Sequence, residues 1–125
     1  MPVKHIDTIE KKSVTNGVNT FRQVLIGPGE GSNFAMRRFI IEPGGSMPRH
    51  TNTVEHEQFV LAGRARIGIA DEEFEVQRGS VVFIPANMPH WYKTTGSESF
   101  EFICIVPNRK DEIQILDESY LNTKG

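Results

Sequence analysis

Apolar residues in this chain come in short runs, and glycine or proline cuts most of them off before they reach the length of a helix. Phe21 to Ile26 is stopped by Gly27-Pro28-Gly29-Glu30-Gly31, and Phe34 to Ile41 by the turn signal Pro43-Gly44-Gly45. His56 to Ala62 ends at Gly63. Arg64 to Ala70 alternates, with Ala65, Ile67 and Ile69 on one side and Arg64, Arg66 and Gly68 on the other. A period of two belongs to a strand with one buried face. Asp71-Glu72-Glu73 reads as a hairpin tip and Phe74 to Gln77 as the return strand. Ser80 to Ile84, almost wholly apolar, reads as a strand buried on both faces. Trp91-Tyr92-Lys93 and Phe100 to Val106 complete the series. Many short strands bounded by turn residues predict an all-β sandwich or barrel. Only the tail, Asp111 to Leu121, offers a helical spacing, through Ile113, Leu116 and Tyr120.

A chain of 125 residues holds one core of this kind and is too short for two ordinary ones. We expect a single domain over 1–125, with its barrel core at about 34–107, an N-terminal strand segment at 18–26 and a tail at 108–125. The 14 basic and 16 acidic residues nearly cancel, and Lys11-Lys12, Arg37-Arg38 and Arg109-Lys110 are isolated pairs. That distribution argues against nucleic acid or an anionic membrane as the main partner. No stretch is long and apolar enough to span a bilayer, and Met1 to Ser13 lacks the apolar run of a signal peptide, so a cytoplasmic protein is expected. The single cysteine, Cys104, excludes an internal disulfide.

Three of the four histidines fall inside two Gly/Pro-punctuated segments. The first reads Gly44-x5-His50-x-Asn52-x3-His56-x6-Gly63, the second Gly79-x5-Pro85-x-Asn87-x2-His90. These segments resemble the paired motifs of the cupin superfamily, G-x5-H-x-H-x3,4-E-x6-G and G-x5-P-x-G-x2-H-x3-N. Gly44, His50, Gly63, Gly79, Pro85 and His90 match at the right spacing. Asn52 stands where a second histidine is usual and His56 where glutamate is usual; Asn87 replaces a turn glycine and Thr94 the final asparagine. Asparagine tolerates the left-handed backbone such a turn needs. The resemblance implies a jelly-roll barrel, and histidine in the glutamate slot is similar to the small bacterial cupins with an all-histidine manganese or iron site. It implies His50, His56 and His90 as metal ligands, with Asn52 a weak ligand or the holder of a bound water. A homodimer is the oligomer it implies, and Val18 to Ile26 is a segment able to cover a sheet edge.

The residues point the same way chemically. His50 and Asn52 are two apart, so an extended segment turns both to one side. Neutral imidazoles suit Zn, Fe, Ni, Cu and, less tightly, Mn, and three protein ligands leave positions open for water or substrate. Glu55 and Glu57 flank His56 and so face the other way, whereas Gln58 shares its parity and is expected in the pocket. One of the adjacent Arg37 and Arg38 should face the interior, either as a clamp for a substrate carboxylate or in a rim salt bridge. Glu101 prefers solvent, which turns Phe102 and Cys104 inward. Of Trp91 and Tyr92, one should line the pocket and the other pack outside; Tyr92 is our candidate. The largely apolar interior suits a small, partly apolar substrate. A mononuclear metalloenzyme of oxidative chemistry is the leading expectation. A non-catalytic metal-dependent binding or sensor module, or a metal-assisted isomerase or lyase on a small acid, stands beside it.

Overall fold

The computed structural model of the chain describes residues 2–116. Ten strands form one curled antiparallel sheet: β1 (Lys12–Ser13), β2 (Val18–Ile26), β3 (Phe34–Asn52), β4 (His56–Ala62), β5 (Arg64–Ile69), β6 (Glu72–Gln77), β7 (Val81–Ile84), β8 (His90–Thr95), β9 (Phe100–Pro107) and β10 (Ile113–Ile115). The main path runs β6-β5-β8-β3-β9-β4-β7, with β2 and β10 also paired to β3. The all-β barrel expected from the sequence is what the chain forms.

The spine of the sheet is β3, and it differs from expectation. Pro43-Gly44-Gly45 does not end a strand; it bends a single strand of 19 residues. Before the bend β3 pairs with β2, Arg22 opposite Phe39, and with β9, Arg37 opposite Cys104 and Phe39 opposite Phe102. After the bend it pairs with β8, His50 opposite His90, and with β10, Ile113 opposite Asn52. Gly44 takes φ +81, a left-handed backbone that side chains resist, so the strand can change partners there without a loop.

Inside the curl, Phe39 stacks on Phe102 and Phe102 on Tyr92, each pair with centroids 5.2 Å apart. Ala65, Ile67, Phe102 and Cys104 point inward as their alternation predicted. Three other expectations are corrected. First, Ser80 to Ile84 is buried on one face only, since Val82 and Ile84 are covered while Val81 and Phe83 stay 79% and 55% exposed. The reason is that β7 ends the main path and pairs with β4 alone. Second, the tail is not helical where it is described: Ile113–Ile115 extends as β10, because β3 beyond its bend offers that edge backbone partners. Tyr120 lies outside the described residues. Third, the hairpin tip is Ala70-Asp71, with Ala70 at φ 55, and Glu72 and Glu73 already belong to β6. The segment Val18–Ile26 does cover an edge, that of β3 in its own chain.

Candidate metal centre

The end of β3 supplies His50 and Asn52, the first residue of β4 is His56, and the first residue of β8 is His90. All four side chains are buried. The His50 and His90 rings lie 4.2 Å apart between centroids, and those of His56 and His90 5.7 Å. The turn ahead of His90 is tied to this corner: Asn87, at φ 65, donates its backbone N–H to the Asn52 carbonyl at 2.7 Å. Asparagine fills there the left-handed role expected of it.

Backbone carbonyls fix the tautomers. His50 Nδ1 meets the Pro48 carbonyl at 2.7 Å and His90 Nδ1 meets the Met88 carbonyl at 2.9 Å. A carbonyl only accepts, so both Nδ1 atoms carry the proton and donate, and both Nε2 atoms are left with a lone pair. His90 Nε2 and His56 Nε2 are buried with no protein partner. Burial lowers the His90 pKa to about 3, helped by repulsion from His50. His56 is also lowered to about 3, by burial first and then by Arg37 and the other two rings. His50 is lowered by burial, against the opposing pull of the Pro48 carbonyl and Asp111. The three imidazoles are therefore neutral at ordinary pH, the state in which they bind metals.

Asn52 is oriented by a residue far along the chain. Its Nδ2 donates to Asp111 Oδ2 at 2.9 Å, while Asp111 Oδ1 accepts the Thr53 N–H at 3.0 Å. Because a carboxylate accepts only, the amide nitrogen must face it and the amide oxygen must face away. Asn52 Oδ1 is buried and without a partner. Two imidazole nitrogens and one amide oxygen are thus unsatisfied polar atoms in one corner, where native proteins leave few such atoms. Their chemistry fits a divalent transition ion. Among the described residues, however, no group of three or more His, Cys, Asp or Glu side chains is closed to metal-ligand geometry. The rings are neighbours, and seating an ion on all three requires them to draw together.

A cavity of about 310 Å³ opens on this corner, lined by His50, Asn52, His56, Arg37, Phe39 and Met47, by Arg22 of β2, by residues 13–17 and by Ile113 and Ile115 of β10. Of the two arginines, Arg37 is the inner one. Arg38 faces the other side, where its Nε and Nη2 donate to Glu101 Oε1 at 3.1 and 2.5 Å and its Nη1 to Gln23 Oε1 at 2.6 Å. Gln58, Tyr92, Phe102 and Cys104 were expected in the pocket wall but lie behind it, in the packed interior. Gln58 Nε2 donates to the Tyr92 hydroxyl at 2.7 Å and sits 3.7 Å from Cys104 Sγ. Burial pushes the Tyr92 hydroxyl and the Cys104 thiol up, so both stay protonated. Trp91 is buried as well rather than packed on an exposed surface. Glu55 and Glu57 stay out of the cavity wall, and burial together with Glu55 raises the Glu57 carboxyl to about 7. Arg22 and Asp111 were not found from the sequence. Burial along β2 does not alternate, so Arg22 is placed only by its register with β3, and nothing in the local pattern marked Asp111.

Residues 37–106 match the family described as Cupin domain, more than half of the chain. An uncharacterized protein of Methanocaldococcus jannaschii is 25% identical over 91 residues, 70% of this chain and 73% of that one. The 1-methylthio-D-xylulose 5-phosphate methylsulfurylase of Rhodospirillum rubrum is 28% identical over 100 residues, and the match spans 80% of this chain but only 64% of that protein. Among solved structures, the polyketide cyclase RemF from Streptomyces resistomycificus superposes with a TM-score of 0.86 at 26% identity, over 100% of this chain and 94% of that one.

Proposed function

This chain belongs to the cupin domain family, and from that premise we propose that it is a mononuclear metalloenzyme oxidising a small, partly apolar substrate. In this reading His50, His56 and His90 hold one divalent ion, iron or manganese. The observation that carries it is the set of buried, neutral imidazoles whose Nε2 atoms at His56 and His90 meet no protein partner. Imidazoles kept only for packing would have their polar atoms satisfied. A bound ion supplies Lewis acidity and, as iron or manganese, electron transfer to dioxygen or a peroxide.

The chain's own residues do the rest. The Pro48 and Met88 carbonyls hold the His50 and His90 rings in the ligating tautomer. Asn52 offers its amide oxygen as a weak fourth donor or as acceptor for a water. Phe39 and Met47 give the cavity apolar wall, and Arg37 is placed to hold an acidic group. Among the described residues no carboxylate lines the cavity, and Tyr92 and Cys104 stay protonated. Among the described residues the cavity wall thus offers no carboxylate, phenolate or thiolate as a base once the imidazoles hold the ion, which favours oxidation over isomerisation. A second reading, a metal-assisted cyclisation or lyase reaction without an oxidant, is favoured by the likeness to RemF along the whole chain.

Metal analysis of untagged protein, with electron paramagnetic resonance, tests the first step. Near-stoichiometric iron or manganese is expected, and its loss in His56→Ala. Oxygen and peroxide consumption over a panel of small acids and aromatic compounds tests the second. Turnover of such a compound under anaerobic conditions selects the cyclase or lyase reading. Failure to take up any metal on reconstitution ends both.

A further inference from the structure

We propose that Arg22 and Arg37 together form an oxyanion site in the cavity wall, so that the molecule bound there, on the reading of this cavity as the substrate site, is an acid whose carboxylate or phosphate group docks between the two guanidinium groups. The strand register brings them together. Arg22 stands opposite Phe39 and Val24 opposite Arg37, so Arg22 and Arg37 are diagonal neighbours on the inner face of the β2–β3 pair. Both line the cavity. Arg37 lies 5.2 Å from the Phe39 ring centroid, its Nη2 is 3.5 Å from Cys104 Sγ, and its Nε is buried with no partner. Among the described residues neither guanidinium is ion-paired to a carboxylate.

The contrast with Arg38 is informative. One residue along and on the opposite face, it is held by three hydrogen bonds to Glu101 and Gln23. Among the described residues, the outer arginine thus has oxygen acceptors from two side chains, while the inner pair is given only the Cys104 sulfur. Two like charges side by side in a half-enclosed wall repel, and each is short of the acceptors it would have in water. Burial and the neighbouring Arg37 both depress the basicity of Arg22. An oxyanion relieves both penalties, and the guanidinium fork matches carboxylate and phosphate geometry. Phe39, Met47 and Val14 in the same wall fit an apolar body attached to the acidic group, and His50 and His56 face the same space.

The test is calorimetric titration of the full chain, metal-free and manganese-loaded, with benzoate, phenyl phosphate and the neutral benzyl alcohol. At least one acid is expected to bind, with benzyl alcohol about tenfold weaker or more. Arg22→Gln and Arg37→Gln should each weaken the acid about tenfold or more and leave benzyl alcohol unchanged. Arg66→Gln, on the outer β5–β6 hairpin, should change nothing. The order of benzoate and phenyl phosphate identifies which oxyanion the site prefers. Should Arg37→Gln fail to fold by circular dichroism, Arg22→Gln and Arg37→Lys, which keeps the charge but loses the fork, carry the comparison. Absence of binding by both acids, or equal binding by wild type and the arginine variants, overturns the proposal. Acid binding in the metal-free chain does not depend on the metalloenzyme reading, so the two fail separately.

Discussion

His50 and His90 are held by the same local device, a ring N–H returned to the carbonyl two residues back, whereas Asn52 depends on Asp111, 59 positions away. That difference sets what a substitution does. Removing the Asp111 carboxylate frees the Asn52 amide to rotate and presents either its oxygen or its NH2 to the histidine corner. Asp111→Ala should weaken manganese or cobalt affinity about tenfold, the lower end of what outer partners of metal ligands contribute. It should cost only about 1 kcal/mol in stability, for the lost hydrogen bonds at Asn52 and Thr53. Competition with a chromophoric chelator reads the first and urea unfolding the second. An unchanged affinity would mean that Asn52 takes no part. The histidines themselves were legible in the sequence, because two short segments carry their own spacing. The orientation of Asn52 was not, since its partner lies in a tail whose weak helical spacing hid a strand. Arg22 was hidden for a simpler reason: a lone arginine among β2 residues has meaning only once its register with β3 is known.

Among the strands, β5 and β9 were readable because alternation states which side each residue faces. The continuous apolar run of β7 carries no such parity, and its one-sided burial follows from its place at the end of the sheet. A strand as long as β3 was hidden by its own glycines, since the bend at Gly44 looks like a stop. One glycine within β5 has the opposite function. Gly68 stands opposite Trp91 on β8, and a Cβ there would collide with the indole ring. The indole fills the space that a side chain would otherwise take and so pins β8 against β5, one residue after His90. Gly68→Ala must displace Trp91, and we expect a loss of about 1–3 kcal/mol, the usual range for overpacking a filled site. Because His90 is Trp91's neighbour, the same variant should weaken metal binding. Tryptophan fluorescence during urea unfolding reports both the displaced indole and the lost stability. A shift-free spectrum with full stability would show that β8 tolerates the added methyl group.

At the scale of the molecule, three buried neutral imidazoles make folding itself sensitive to acid. Burial holds His56 and His90 at about 3 in the folded chain, against about 6.5 for histidine in an unfolded one. Between those values the unfolded chain binds protons that the folded chain refuses, so stability rises with pH. The contribution is complete above about pH 6.5, declines as pH falls below it, and stops falling once the folded rings protonate near 3. His56 and His90 each contribute a slope of about 1.4 kcal/mol per pH unit within that window, about 2 kcal/mol between pH 6.5 and 5. Charging one ring also opposes charging the next, since His50, His56 and His90 adjoin. Metal-free protein should therefore unfold at lower urea as pH drops from about 7.5 to 5, and His56→Ala should flatten that dependence by one ring's share. Carboxylates elsewhere in the chain are common to both proteins, so the difference between them isolates the ring. Bound metal demands the same neutral imidazoles and should leave over the same window. Parallel slopes for wild type and variant would mean that His56 is not held neutral by the fold, and the neutral ligand set behind the metalloenzyme reading would fall with it.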